Sequence, residues 1–226
     1  MVLSDYITET RFLLEEFPSP GVYWTDANLT TEINKARDRI SLDTMCCRSQ
    51  ATQPAVQGQI PYQYSAILPN VLTLPTSPPA RLLARILNIN FQWSPSFAPV
   101  LRNYAWSVLN AYFLANPSIQ SQVLAWGQYD LQSIYIWPPS PNSTYTFQVD
   151  VTWLPTKLVN SNDPDNAIPE MVAEILVPLM AARWALFYRR DYTNAQYFEQ
   201  MYISERNGIM AALPPFSIES FYDEES

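Results

Sequence analysis

Apolar residues recur at three- and four-residue steps near both ends of the chain and crowd into short bursts between. Leu3, Tyr6, Ile7, Leu13, Leu14 and Phe17 form the first stripe, with Ser4 as a candidate cap and Pro18 as the stop. Thr25 can cap the next helix, with Trp24 and Leu29 placed as a hydrophobic staple. That helix is predicted from Asp26 to about Cys47. Leu29, Ile33, Ala36, Ile40 and Cys47 fall on its inner side, and Glu32, Lys35, Asp38 and Arg39 largely on an exposed one. Near the other end, Ile168, Met171, Val172, Ile175, Leu176, Leu179, Ala182 and Leu186 predict a long helix ending at Arg189. Pro169 suits its first turn, whereas Pro178 is internal and should kink it. Thr193 with Gln196 fits a capping box for a last helix marked by Phe198, Met201, Tyr202, Ile209 and Leu213.

The middle reads differently. Thirteen of the 20 prolines fall between Thr52 and Pro155, where strands are predicted at Ile60–Ser65, Leu82–Trp93 and Val123–Trp126. Two more alternate in SIYIWPPSPNSTYTFQVDV, at Ile134–Trp137 and Tyr145–Val151, across a stretch with three prolines and no glycine. Prolines cannot feed a ladder and gather at edges and corners, so these strands must end abruptly. Ala98 to Ala115 carries Leu101, Tyr104, Ala105, Val108, Leu109 and Tyr112 at helical spacing, and reads as a short helix or as two further strands. The expectation is an α+β protein. Residues 1–51 and 166–213 form a helical bundle, residues 52–165 a large proline- and aromatic-rich β insertion, and residues 214–226 an extended tail.

Composition narrows the chemistry. Histidine is absent, which removes the commonest general base and metal ligand. Cys46 and Cys47 are adjacent and cannot close a structural loop, which suits a reducing compartment. The net charge of −8, with Glu219, Asp223, Glu224 and Glu225 near the C-terminus and only two lysines, Lys35 and Lys157, argues against tight duplex-DNA binding. No charged-then-apolar leader opens the sequence and no apolar run reaches the ~20 residues a bilayer requires, so a soluble, intracellularly made protein is expected.

The order of these pieces resembles a known family. WTDANLTTEINKARDRI (residues 24–40) resembles the second helix of tailed-phage head–tail connector proteins, or portal adaptors. YDLQSIYIWPPSPNSTYTFQVDVTWLP looks like the strand–proline–strand signature of their β insertion. IPEMVAEILVPLMAARWALFYRRDYTNAQYFEQMY (residues 168–202) is similar to their closing helical pair. The resemblance implies a virion structural protein at the head–tail interface, made in the host cytoplasm, without catalysis, cofactor or metal. It implies a ring, commonly of twelve copies, beneath the portal protein, extending the channel through which DNA passes and offering a surface to tail or nozzle proteins. The insertion is long for a simple adaptor.

Candidate sites follow from the residues. A hydrolase would need paired carboxylates, and the nearest pair, Asp163 and Asp165, sits in an Asn-rich loop that reads as a solvated turn. The cysteines have no histidine to activate them, and Gly21, Gly58, Gly127 and Gly208 are too isolated for a phosphate loop. Trp93, Trp106, Trp126, Trp137 and Trp153 suggest a carbohydrate- or receptor-binding β module if exposed, and a core or interface if buried. Arg183, Arg189 and Arg190 are candidates for ion pairs across subunits, or for local pairs on a solvated helix face. In PPFSIESFYDEES, Pro214 and Pro215 end the last helix. Phe216, Ile218, Phe221 and Tyr222 are then candidate anchors on another chain, the portal or a ring neighbour.

Overall fold

The computed structural model describes residues 1–14, 24–67, 82–94, 98–116, 119, 121–130 and 132–212. It is a mixed α+β protein with α1 (Leu3–Leu13), α2 (Asp26–Thr44), β1 (Arg48–Pro54), β2 (Pro61–Gln63), α3 (Tyr64–Ile67) and β3 (Leu82–Gln92). These are followed by β4 (Arg102–Asn103), α4 (Trp106–Ala115), β5 (Ala125–Gln128), β6 (Ser133–Trp137), β7 (Thr146–Leu154), α5 (Glu170–Tyr188) and α6 (Tyr192–Ala212). The chain divides into two compact units. The first comprises Met1–Arg37, Leu158–Asp165 and Pro169–Ser226, the second Asp38–Lys157 with Asn166–Ile168, so the division falls within α2.

In the first unit, α1 starts earlier than its composition suggests, because the returning chain caps it. Leu3 and Ser4 donate their N–H groups to the carbonyls of Asp163 (3.2 Å) and Ser161 (2.9 Å), while the Asp5 carboxylate accepts from the Val2 N–H at 2.9 Å. Two donors that a helix start leaves unpaired are thereby satisfied. Ser4 is inside the helix rather than its cap, and the predicted end at Phe17 and Pro18 lies outside the described residues. Thr25 does cap α2, its Oγ1 accepting from the Asn28 N–H at 3.2 Å. Trp24 and Leu29, the staple residues, are both buried.

Leu29, Ile33, Ala36 and Ile40 are fully buried, as the spacing requires. Burial nevertheless extends round the helix to Glu32, Asn34 and Arg37, so the face expected to be solvated is only partly so. Arg37 is the residue the pattern missed. Its side chain is 1% exposed and its Nε and Nη2 donate to the two oxygens of Asp165, whose side chain is 0% exposed, each at 2.8 Å. Tyr6 Oη donates to the same carboxylate at 2.8 Å, and Asn34 Oδ1 accepts from Arg37 Nη1 at 3.2 Å. Burial, then the adjacent carboxylate, push the Tyr6 hydroxyl far above the ordinary phenol range, so it remains a donor.

Asp163 and Asp165 therefore part company. Asp163 accepts the N–H groups of Asn160 and Val159 at 2.7 Å each, which holds its carboxyl below the usual range. Such a depressed group contributes stability above its unfolded pKa, and that contribution is lost as pH falls through the folded one. Asp165, two residues on, is the buried partner of Arg37 rather than a solvated turn residue.

Between Leu176 and Ala182 every residue of α5 is buried, so this helix is apolar on all sides because it is a core helix packed against α1 and α6. Although Glu170–Tyr188 is apolar enough to cross a membrane by length and composition, more than half of it is buried inside the fold. The helix runs through Pro178, which is buried. Helix α6 begins at Tyr192, and its cap is Asp191 rather than the predicted Thr193: Asp191 accepts the Asn194 N–H on its side chain and the Ala195 N–H on its carbonyl. Ala195, Tyr202 and Ile209, seven residues apart, form its buried line.

The second unit holds two sheets. One is antiparallel in the order β1-β7-β3; the other runs β2-β6-β5-β4, with β4 and β5 parallel. The two strands flanking the proline stretch thus belong to different sheets. Pro138, Pro139 and Ser140 are buried where the chain crosses, after a cis Trp137–Pro138 bond. The Ser140 carbonyl accepts from the Gly58 N–H (2.9 Å) and Ser143 Oγ from the Gln57 N–H (3.0 Å), so the corner is fastened to the β1–β2 loop. Gly58 sits at φ 73°, where a side chain would be strained. Phe91 and Phe147 (ring centroids 5.1 Å) on one sheet meet Tyr62 (5.3 Å from Phe147) on the other.

Strand β1 has no apolar alternation. Only Ala51 in Arg48–Pro54 is buried, and the strand exists because it pairs with β7 from Arg48↔Thr152 to Pro54↔Thr146. Predicted Ile60–Ser65 resolves into β2 and the short α3, and the 98–115 segment into β4 and α4. Cys47 is buried, with Sγ 3.3 Å from Ser41 Oγ and donating to the Ala167 carbonyl at 3.4 Å, and its Sγ lies 4.0 Å from that of Cys46.

Substitutions test both units by urea denaturation. Asp165→Asn removes the carboxylate that pairs with the buried Arg37 guanidinium and should cost about 3–5 kcal/mol, whereas Tyr6→Phe should cost about 1–2 kcal/mol. At Gly127 an added Cβ meets the Tyr104 carbonyl oxygen at 2.6 Å, so Gly127→Ala should destabilise by about 1–3 kcal/mol. At Gly208, inside α6, nothing lies within 4 Å of that position, and Gly208→Ala should stabilise by about 0.5–1 kcal/mol.

Candidate interaction surfaces

The first unit carries an aromatic and cationic surface at the junction of α5 and α6. Beyond the buried run of α5, its last residues and the first of α6 leave large rings outside: Phe187 is 45% exposed, Tyr188 78% and Tyr192 56%. Arg183 lies over the rings of Trp184 (4.2 Å) and Phe187 (5.0 Å), and Phe187 meets Tyr192 at 5.4 Å. Arg189 lies over Trp24 at 4.2 Å, and Lys35 over Tyr188 at 5.8 Å. Arg190 makes the turn itself, at φ 63°, and is exposed. Such rings and guanidiniums are the residue types enriched in protein interfaces.

The three arginines singled out in the sequence have different surroundings, Arg183 lying within α5 and Arg189 and Arg190 at its end. Arg183 is paired within the chain, its Nη2 donating to Glu199 at 3.3 Å, while its Nε and Nη1 are buried without an acceptor. Trp184 Nε1 is another buried donor without an acceptor. Lys35 pairs with Glu32 at 2.8 Å. Phe216, Ile218, Phe221 and Tyr222 lie outside the described residues.

The second unit offers a surface of opposite character. From Asn103 to Tyr129 the sequence carries no charged residue. Within it, α4 turns Trp106 and Tyr112 toward Tyr135 (4.6 Å) and Trp137 (4.8 Å, stacked), and Leu109 toward Gly127. Its other side leaves Val108 43% and Leu114 77% exposed, with Leu124 53% exposed nearby in sequence. Helical spacing alone placed Val108 inside. The missed signal was the run of 27 uncharged positions: a helix apolar on every side either is enclosed or has an apolar face left over.

None of Trp93, Trp106, Trp126, Trp137 and Trp153 is exposed; Trp126 and Trp153 are buried and the others intermediate. A sugar platform needs open, flat rings, and these tryptophans do not supply it. Among the described residues no three Cys, Asp or Glu side chains gather as a metal would require. Tyr188 and Leu114 are each more than three-quarters exposed, so Tyr188→Ser and Leu114→Ser should each shift stability by no more than about 0.5 kcal/mol in urea denaturation, unlike Trp126→Ser in the core.

No curated protein matches the chain. A family model described as SU10 adaptor protein matches residues 1–215, a span that takes in every described element of both units. With nearly the whole sequence matched, the chain belongs to the SU10 adaptor protein family, a family of phage head–tail adaptors and structural components of the virion.

Proposed function

We propose that copies of this chain assemble as a ring beneath the portal, extend the channel through which DNA leaves the head, and present a surface to tail or nozzle proteins. The observation that carries this reading is the family match over residues 1–215, which spans both units rather than one module. The chemistry of the surfaces supports it. A chain with net charge −8 and 13 basic residues is suited to let DNA pass without gripping it. Its exposed aromatics offer apolar area that neighbouring subunits can cover.

The helical ends serve in this proposal as the bundle that meets the portal and its neighbours, and the β-rich middle as the part that faces the tail. Twelve copies is the number the family resemblance implies. In this reading Arg183, Arg189 and Arg190 pair with acids of the next subunit, and Phe216, Ile218, Phe221 and Tyr222 anchor the subunit to the portal or to a ring neighbour.

Native mass spectrometry of the chain with purified portal rings tests the assembly. The expected outcome is a complex with a fixed, ring-closing number of copies; single, non-contacting copies on the portal would refute it. Deleting residues 214–226 should leave helix content unchanged by circular dichroism and lower recovery in a portal pull-down by ~10-fold or more, the effect of losing aromatic anchors. Undiminished recovery would refute the anchoring role.

A further inference from the structure

The α5–α6 turn is short of acceptors. Arg183 Nε and Nη1 and Trp184 Nε1 are buried donors without a partner, and the acids of this region are already committed: Glu199 to Arg183, Asp191 to capping α6. Around them stand exposed Phe187, Tyr188 and Tyr192, with Arg190 exposed at the turn. The unpaired Arg183 and Trp184 donors are enclosed, so it is the exposed guanidinium of Arg190 and the exposed rings beside it that a ligand meets, and they favour one that brings apolar rings and negative oxygens together. The uncharged α4 face of the second unit asks for nothing of the kind.

The same sequence contains a segment of that composition. Residues 216–225 read FSIESFYDEE, with rings at Phe216, Phe221 and Tyr222 followed directly by Asp223, Glu224 and Glu225. The lengths agree as well. Helix α6 has 21 residues, so its two ends are about 31 Å apart at 1.5 Å per residue. Residues 216–225, ten positions beyond the three that a reversal takes up, span about 33 Å when extended. A tail folded back along α6 would therefore set the three acids against the exposed guanidinium of the turn and bring Phe221 and Tyr222 alongside the start of α6.

We propose that the α5–α6 turn is a docking site for this chain's own C-terminal segment, residues 216–225, held in cis in the subunit before assembly. The rings of Phe221 and Tyr222 stack with Phe187, Tyr188 and Tyr192, and the acids that follow meet the exposed Arg190 at the turn. Docking covers the exposed rings of Phe187, Tyr188 and Tyr192 and keeps the tail from binding indiscriminately. A partner that offers the tail a better seat releases it and uncovers the turn in the same event. This goes beyond the adaptor reading and stands or falls without the portal.

The test uses the full chain with Phe221 replaced by the photo-cross-linker p-benzoylphenylalanine, irradiated in the absence of portal. Mixing isotope-labelled with unlabelled chains separates links within one chain from links between two. The expected result is a link from position 221 to residues 183–192 within one chain. Its yield should drop at least fivefold in Asp223→Asn, Glu224→Gln, Glu225→Gln, a variant that alters no described residue. It should drop similarly in Arg189→Glu, Arg190→Glu, and return when the latter is combined with Asp223→Lys, Glu224→Lys, Glu225→Lys. Links that land elsewhere, that join only different chains, or that persist undiminished in the neutralised tail would overturn the proposal.

Discussion

The first unit depends on one buried ion pair. Taking Arg37 and Asp165 out of water costs several kcal/mol for each ion, and their attraction offsets this only with good geometry and with the remaining donors and lone pairs satisfied. Here both conditions are met: two parallel bonds of 2.8 Å, a third to the carboxylate from Tyr6, and Asn34 accepting from the guanidinium. The consequence is register. Tyr6 belongs to α1, Arg37 and Asn34 to α2, and Asp165 to the chain returning ahead of α5, so three segments far apart in sequence must meet at one point. Asn34 reinforces it by holding both the N–H and the carbonyl of Leu158 at 2.9 Å. The same returning loop supplies the carbonyls that cap α1.

The second unit solves a different problem, that of turning strands from one sheet to another without glycine. A buried corner of Pro138, Pro139 and Ser140, held by N–H groups from the β1–β2 loop, sends β6 and β7 into separate sheets, and the aromatic layer of Tyr62, Phe91 and Phe147 closes the space between them. At β5, Gly127 admits the Tyr104 carbonyl and Leu109, which seats α4 and leaves its far face apolar and exposed. The two units thus present surfaces with unlike chemistry. Contacts at the cationic, aromatic turn should respond to salt, while contacts at the uncharged α4 face should not, because only the former involve screened charges. An assembly component that meets more than one partner can use that difference to keep them apart.

Much of this was legible in the sequence. Three- and four-residue spacing located α1, α2, α5 and α6, and alternation located β3, β6 and β7, because burial on one face imposes the period of the element on the residues. The order of those pieces was enough to identify the family. The aromatic–arginine turn was visible as Arg183, Arg189 and Arg190, though their stacking on Trp184, Phe187 and Trp24 was not. What escaped were features whose cause lies in a distant segment. Strand β1 is polar and pairs only because β7 offers a ladder; Ser4 and Thr193 look like caps, but a returning loop and Asp191 do the capping.

Local pattern by itself determined the amphipathic and alternating elements, the class and the absence of histidine-based chemistry, since these depend on neighbours in sequence and on composition. Tertiary structure alone decided which charges go inside. Arg37 lies on a helix rich in solvated charge and Asp165 in a polar loop, so each by itself reads as a surface residue. Burial becomes tolerable only when the two meet, and a residue's sequence neighbours carry no trace of a partner 128 positions away.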